Sequence, residues 1–452
     1  MNNTQETEQN KMGVLPIGKL IITMSLPMMI SMLVQALYNI VDSVFVSKIG
    51  EEALRAVSLA FPIQALMIAT ATGTGVGINS LVSKSLGEKN WDKANKASNN
   101  AVFVERCSFL VFILVGLFVS KPFFASQTEN LQVQEYGVIY LTICCCFSIG
   151  IFMQITFERL LQATGKTFYT MFTQGIGAIV NLILDPILIF GYLGFPKMGI
   201  AGAATATVIG QMVAGALAIF FQFHYNKELH ISLKGFRPDG GIIANIYKVG
   251  APSVVMQAIG SVMTYGLNMI LGAFDMAQTA FGVYFKLQSF IFMPVFGLNN
   301  GVIPIIAYNY GAKNKKRVVE AIKVAAIYAV SIMTFGILVM QLFPDKLLGL
   351  FEADSTLLSV GIPALRIIST SFLFAGYCIV VGSAFQALGN GIYSMIVSIA
   401  RQLVVLLPVA YLLSLSGKVE LIWLSFPIAE LMSVAMTTFF LIRMNKTIIS
   451  KL

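Results

Sequence analysis

The sequence predicts an all-α integral membrane protein: twelve transmembrane helices in two parallel six-helix repeats. Three observations carry this. Hydrophobic residues make up 57% of the 452 positions and charged residues only 11%, with a mean hydropathy of +0.80, where a soluble domain carries about 25% charged residues. Twelve apolar stretches are each long enough to cross about 30 Å of hydrocarbon. Motifs of the first half also recur in the second at a nearly constant offset.

The stretches lie at 19–48, 54–83, 98–120, 136–160, 168–191, 199–223, 244–272, 278–309, 318–342, 357–388, 392–414 and 421–443. Lipid offers the backbone no hydrogen-bond partners, so each must be a helix. Prolines 27, 62, 186, 252, 294, 304, 363, 408 and 427 fall inside them, and each marks an expected kink.

The net charge of +9 does not indicate nucleic acid, because the basic residues sit in short gaps between apolar runs. Alternate gaps hold Lys11, Lys19, Lys84, Lys89, Lys93, Lys96, Arg159, Lys166, Lys227, Lys234, Arg237, Lys248, Lys313, Lys315, Lys316, Arg317, Arg443, Lys446 and Lys451. The others hold only Lys48, Arg55, Lys121, Lys197, Lys346 and Lys418. The positive-inside rule then places both termini in the cytoplasm of a plasma or inner membrane protein. The polar first eighteen residues precede an apolar run too long for a signal peptide, so the N-terminus is expected to be retained.

Residues 77–87 read GINSLVSKSLG followed by EKN, and residues 301–311 read GVIPIIAYNYG followed by AKN. Residues 162–165 and 386–389 match at the same offset, and Pro27 matches Pro252 one residue further on. Six spans per half is an even number, so the halves run parallel about an axis normal to the membrane. The expected organisation is an N-terminal lobe over 1–223, a linker over 224–243 and a C-terminal lobe over 244–452.

Charge inside a span is costly and needs a reason. The first span carries Gln35, Tyr38, Asn39 and Asp42, whose spacing puts all four on one face. Such a stripe fits a water-filled cavity; hydrogen bonding to a neighbouring helix is the structural alternative. The fifth span carries Asn181 and Asp185, one turn apart before Pro186, and the sixth carries Thr207 in a run of small residues. The two acids and Thr207 lie at similar depth. Their oxygens suit either Na⁺ or a proton as coupling ion. The second half has no such set, for its first and fourth spans lack Asp and Glu and the position matching Asp185 is Val409.

Other embedded charges look structural. Arg401 and Glu430 lie at matching depth in adjacent spans and are expected to form a packing ion pair. Lys286 sits in the outer third of its span and either snorkels or faces the cavity. Glu105, Arg106, Glu320 and Lys323 near helix ends are expected to reach the interface. Met256 and Met263 share one face of the seventh span, and the 22 methionines and 34 phenylalanines suit a pliable, unselective pocket. Cys107, Cys144, Cys145, Cys146 and Cys378 lie in apolar runs without metal-ligand spacing and read as core residues. His224 and His230 fall in the linker, which excludes a membrane-embedded histidine relay or metal site. No nucleophile elbow, P-loop or paired-histidine motif appears, so neither an enzyme nor ATP hydrolysis is supported and no cofactor is expected.

Taken together, SLPMM at 25–29, YNIVDSVFVSKIG at 38–50, GVGINSLVSKSLGEKN at 75–90, NLILDPILIFG at 181–191, GIAGAATAT at 199–207 and GVIPIIAYNYGAKN at 301–314 resemble the multidrug and toxic compound extrusion (MATE) family along the whole chain. The resemblance implies a monomeric, cation-coupled antiporter, driven by H⁺ or Na⁺, that exports amphipathic, often cationic drugs by rocking two lobes. It implies an N-lobe cation site at Asp42, Asn181, Asp185 and Thr207, with Gln35 and Tyr38 at cavity positions. Members with an acidic C-lobe site find no counterpart here. A lipid-linked oligosaccharide flippase of the same superfamily is the alternative, disfavoured by twelve spans and acidic stripes. A channel finds no repeated filter-like segment.

Overall fold

The structure, a computed structural model, describes residues 10–452 apart from positions 233 and 352. The first nine residues of the polar N-terminal stretch therefore lie outside the described residues. Every described element is helical. A short α1 (Lys11–Val14) precedes α2 (Ile17–Ser47) and α3 (Glu51–Gly87). α4 (Trp91–Leu114) runs through a π-helical stretch, Val115–Val119, into α5 (Ser120–Gln127). α6 (Leu131–Cys146), α7 (Ile149–Ala163), α8 (Thr167–Phe190) and α9 (Ile200–Tyr225) complete the first half. The second half holds α10 (Gly240–Leu271), α11 (Ala277–Gly311), α12 (Lys315–Leu342), the short α13 (Pro344–Gly349), α14 (Ser355–Ser369) and α15 (Phe372–Ala387). α16 (Gly391–Ile399) continues through a second π-helical stretch, Ala400–Leu406, into α17 (Leu407–Ser414), and α18 (Val419–Ile422) leads to α19 (Ser425–Thr447). Among the described residues ten helices are long and apolar enough to cross a membrane, and counting the bent pairs α6–α7 and α14–α15 as one span each gives twelve. The first linker residue after α9 is Asn226 and the last before α10 is Asp239. His224 thus lies in the last turn of α9, because the aromatic run Phe220–Tyr225 prolongs that helix through ring packing.

The sharp bends do not fall at prolines. α6–α7 bends by 43° and α14–α15 by 47°, at Ser148 and Ser371, whose hydroxyls donate to the carbonyls of Cys145 (2.7 Å) and Ile368 (2.6 Å) three residues back. A hydroxyl taking a carbonyl from the backbone ladder is a recognised cause of helix bending. Pro27, Pro62, Pro186, Pro252, Pro294, Pro304 and Pro363 sit within continuous helices.

The halves meet along one seam, α3 against α10 and α2 against α11, and the repeat makes the contacts reciprocal. A Cβ at Gly73 would press on Val254 and one at Gly297 on Met29. A Cβ at Gly77 would collide with Ile246 and Gly250, and one at Gly301 with Ser25. Gly therefore occupies the points of closest backbone approach. Polar bonds reinforce the seam: Ser25 Oγ donates to the Leu298 carbonyl (3.1 Å) and Ser80 Oγ to that of Gln386 (3.0 Å). Among the described residues, Thr72 and Gln257 (2.7 Å) make the last hydrogen bond between the halves on passing away from the linker. Beyond it the same faces carry exposed Asn39, Ser261 and Tyr265, so a cleft opens at the end opposite the linker.

Two expectations about embedded charge are corrected. Glu105 does not reach the interface: it is 0% exposed, because its face of α4 packs inward, whereas Arg106, Glu320 and Lys323 are exposed. Arg159 is not a gap residue but lies inside α7 with 8% exposure. Cys107 is likewise exposed rather than core, since the next position along α4 turns the thiol to the outer surface. Large apolar side chains such as Leu117, Phe118, Phe335 and Phe439 form the exposed exterior expected of a lipid-facing protein.

Candidate cation site and cavity

α2 brings its polar stripe against α8, and α8 packs along α9. Gly177 and Gly210 allow this close approach: a Cβ at Gly177 would lie 3.0 Å from the Gly210 carbonyl oxygen, and one at Gly210 would lie 2.7 Å from that of Gly177. The four residues expected to form a site thereby converge. Asp185 is 0% exposed, and its carboxyl is within hydrogen-bonding reach of that of Asp42. Asn181 Nδ2 donates to Thr207 Oγ1 (3.2 Å), which donates to the Ala203 carbonyl (3.1 Å). The Tyr38 hydroxyl lies beside Thr207 and both acids.

The unsatisfied atoms characterise this cluster. Asp42 Oδ1, Asn181 Oδ1 and both carboxylate oxygens of Asp185 are buried without a hydrogen-bond partner. Buried polar atoms in native proteins are almost always paired, and leaving acceptors unpaired in an apolar setting costs free energy. Every one of these orphans is an oxygen, the ligand type preferred by hard cations and protons. Among the described residues no group of three or more His, Cys, Asp and Glu forms a metal cluster, so the arrangement lacks the ligands of a transition-metal centre.

The remaining expected residues are more dispersed. Asn39 and Gln35 are exposed on α2, about one and two turns from Asp42. Met256 is half-buried with its sulfur toward Gln386 Nε2 (3.7 Å), and Met263 packs on the core of the second half. Lys286 is exposed, its Nζ 5.8 Å from the centroid of the Phe351 ring. Arg401 and Glu430 form an ion pair between the second π-helical stretch and α19.

A second polar network escaped the sequence reading. The Glu158 carboxylate accepts from Thr173 Oγ1 (2.6 Å), Gln174 Nε2 (2.8 Å) and Gln154 Nε2 (3.0 Å). Arg159 donates to Gln162 Oε1 and Asn300 Oδ1, both at 2.9 Å. The available signal was Gln154, Glu158 and Gln162 at successive turns of an apolar run.

The MatE family model matches the chain twice, over residues 27–187 and 252–412, opening each time at one of the paired prolines. The chain belongs to the MatE family. Members of this MATE family are efflux transporters, not enzymes, and the chain is a multi-pass membrane protein of that kind. It is 30% identical over 421 residues to the multidrug export protein MepA of Staphylococcus haemolyticus, covering 92% of this chain and 91% of that one. MepA of Staphylococcus aureus strain MRSA252 is 28% identical over 420 residues, with the same coverage. Among solved structures, a MATE transporter in complex with MaD3S superposes with a TM-score of 0.92 at 25% identity, covering 99% of this chain and all of the other.

Proposed function

We propose that this transporter exports amphipathic, often cationic organic compounds across the plasma membrane in exchange for H⁺ or Na⁺. The observation that carries the reading is the buried cluster of unpartnered oxygens on Asp42, Asn181 and Asp185, at the end of the polar stripe of α2. Two carboxylates in contact within a low-dielectric site require positive charge between them. A proton bridging the pair or a Na⁺ held with Asn181 and Thr207 would supply it.

In this reading the N-terminal lobe (1–223) and the C-terminal lobe (244–452) rock about the seam as units, with the 224–243 linker and both termini cytoplasmic and the protein working as a monomer. The described form then opens outward. Cation uptake by Asp42 and Asp185 changes the contacts of α2 and weakens drug binding along Gln35, Tyr38 and Asn39, with Met256, Met263 and Lys286 on the opposite wall. The coupling must be reciprocal, so drug weakens cation binding by the same factor.

The test is ethidium efflux from cells expressing wild type, Asp42→Asn and Asp185→Asn, with Na⁺ and pH gradients imposed separately. Efflux by wild type alone, driven by one gradient, supports the antiporter and identifies the ion. Equal efflux by all three proteins would make the acids structural. Lack of efflux by correctly inserted wild type would overturn drug export.

A further inference from the structure

Away from the acid cluster, one carboxyl group lies at the seam with nothing to satisfy it. Glu105 on α4 is wholly buried, and both its carboxyl oxygens lack a hydrogen-bond partner. α4 packs there against α3 and against α10 of the other half, whose Tyr247 hydroxyl faces Ser108 of α4 and Thr74 of α3 and lies within electrostatic range of Glu105. The Thr74 hydroxyl is itself a buried orphan.

We propose that Glu105 is a second proton-binding site, which holds its proton while the linker-side halves are closed and releases it to the cytoplasm when they part. The assignment of the cytoplasmic side rests on the transport reading above. An ionised carboxylate here would lie in the packed interior with no cation or donor to offset its desolvation, which is costly. A neutral acid avoids that cost. Separation of α10 from α3 and α4 removes Tyr247 and admits water, and the ionised form becomes the stable one.

The surroundings leave Glu105 as the titrating group. On α4 itself, Arg106 and Cys107 are exposed on other faces. On α7, Glu158 and Arg159 are engaged by their own partners. On α10, Tyr247 is the neighbour already named, and Lys248 is exposed. Among the described residues no side chain forms a hydrogen bond or an ion pair with the Glu105 carboxyl. Because the closed form binds the extra proton, low pH favours closure and rising pH favours opening. Glu105 loads and unloads on one side only, so it gates the seam and carries no proton across the membrane.

The test uses the purified full-length protein without drug or gradient. Backbone amide exchange over 73–87 and 246–254 is followed from about pH 6 to about pH 9 and corrected for intrinsic rates. Wild type should open by up to about tenfold per pH unit, the limit for one linked proton. Glu105→Gln should stay protected with a flattened pH dependence, and Glu105→Asp should retain the dependence. A flat wild-type profile or an unaltered slope in Glu105→Gln would overturn the proposal. Failure of drug efflux would overturn the antiporter reading and leave this measurement untouched.

Discussion

Gly87 and Gly311 meet back to back where α3 and α11 end. A Cβ on Gly87 would strike the Tyr308 carbonyl, with Ala312 N at 3.0 Å; one on Gly311 would strike the Lys84 carbonyl, with Glu88 N at 3.0 Å. These are the two glycines that close the repeated eleven-residue motif, so the repeat makes a self-complementary contact across its own axis. The obstructing atoms are backbone, which has little freedom to yield. Gly87→Ala and Gly311→Ala are each expected to weaken closure by about 1–3 kcal/mol, read as faster amide exchange over 246–254. Unchanged exchange would show that the helix ends can separate without loss.

Among the described residues, Asn300 is the single acceptor that Arg159 finds in the opposite half (2.9 Å). Asn300→Leu leaves a buried guanidinium short of a partner, with an expected cost of about 1–3 kcal/mol to the closed form. Thermal unfolding of the purified protein should register the loss. Asn300→Asp, which supplies a charged acceptor, should recover it.

The Arg401–Glu430 pair is largely enclosed, with Glu430 at 6% exposure. Removing one partner by Arg401→Ala or Glu430→Ala should destabilise the protein by about 3–5 kcal/mol, through the buried charge left behind. The double change Arg401→Met with Glu430→Leu should restore most of the melting temperature, since apolar groups of similar volume need no partner. Equal melting temperatures for both single variants and wild type would contradict this.

Beneath the seam, α1 touches both halves. Asn10 Nδ2 donates to Glu228 Oε2 (2.8 Å) and the Thr164 carbonyl (3.2 Å), while Arg317 Nη2 donates to the carbonyls of Met12 (3.0 Å) and Leu15 (2.7 Å). Burial raises the Glu228 pKa above the ordinary carboxylate value, against the Asn10 hydrogen bond and the Lys166 and Lys11 charges that lower it. An acid whose folded pKa is raised favours the fold when protonated. That contribution is present below its ordinary value of about 4.5 and is lost as pH rises through the raised one. Glu228→Gln should flatten the pH dependence of thermal stability over that window, and an unchanged profile would exclude the group.

The fold was legible because the bilayer imposes it. Backbone satisfaction in lipid turns each apolar run into a helix, and the helix ends fall within seven residues of the expected spans, furthest off in the third, where Trp91–Gln127 replaces 98–120. The repeated motif likewise announced a two-fold relation, seen in the paired glycines. The N-terminal acids were legible because a carboxylate within an apolar run is conspicuous, and helical spacing put Asp42 on the face of Gln35 and Tyr38.

Tertiary structure decided which faces of the helices meet. Asp42 and Asp185 are 143 positions apart in the chain, and only the packing of α2 on α8 brings their carboxyls into contact. Glu105 and Arg106 are adjacent in sequence, yet a turn of about 100° per residue buries the first and exposes the second. Arg159 looked like a loop cation until the position of α11 set Asn300 against it. Hydropathy reports how costly a polar residue is in lipid; its partner is determined by how the helices rotate and cross.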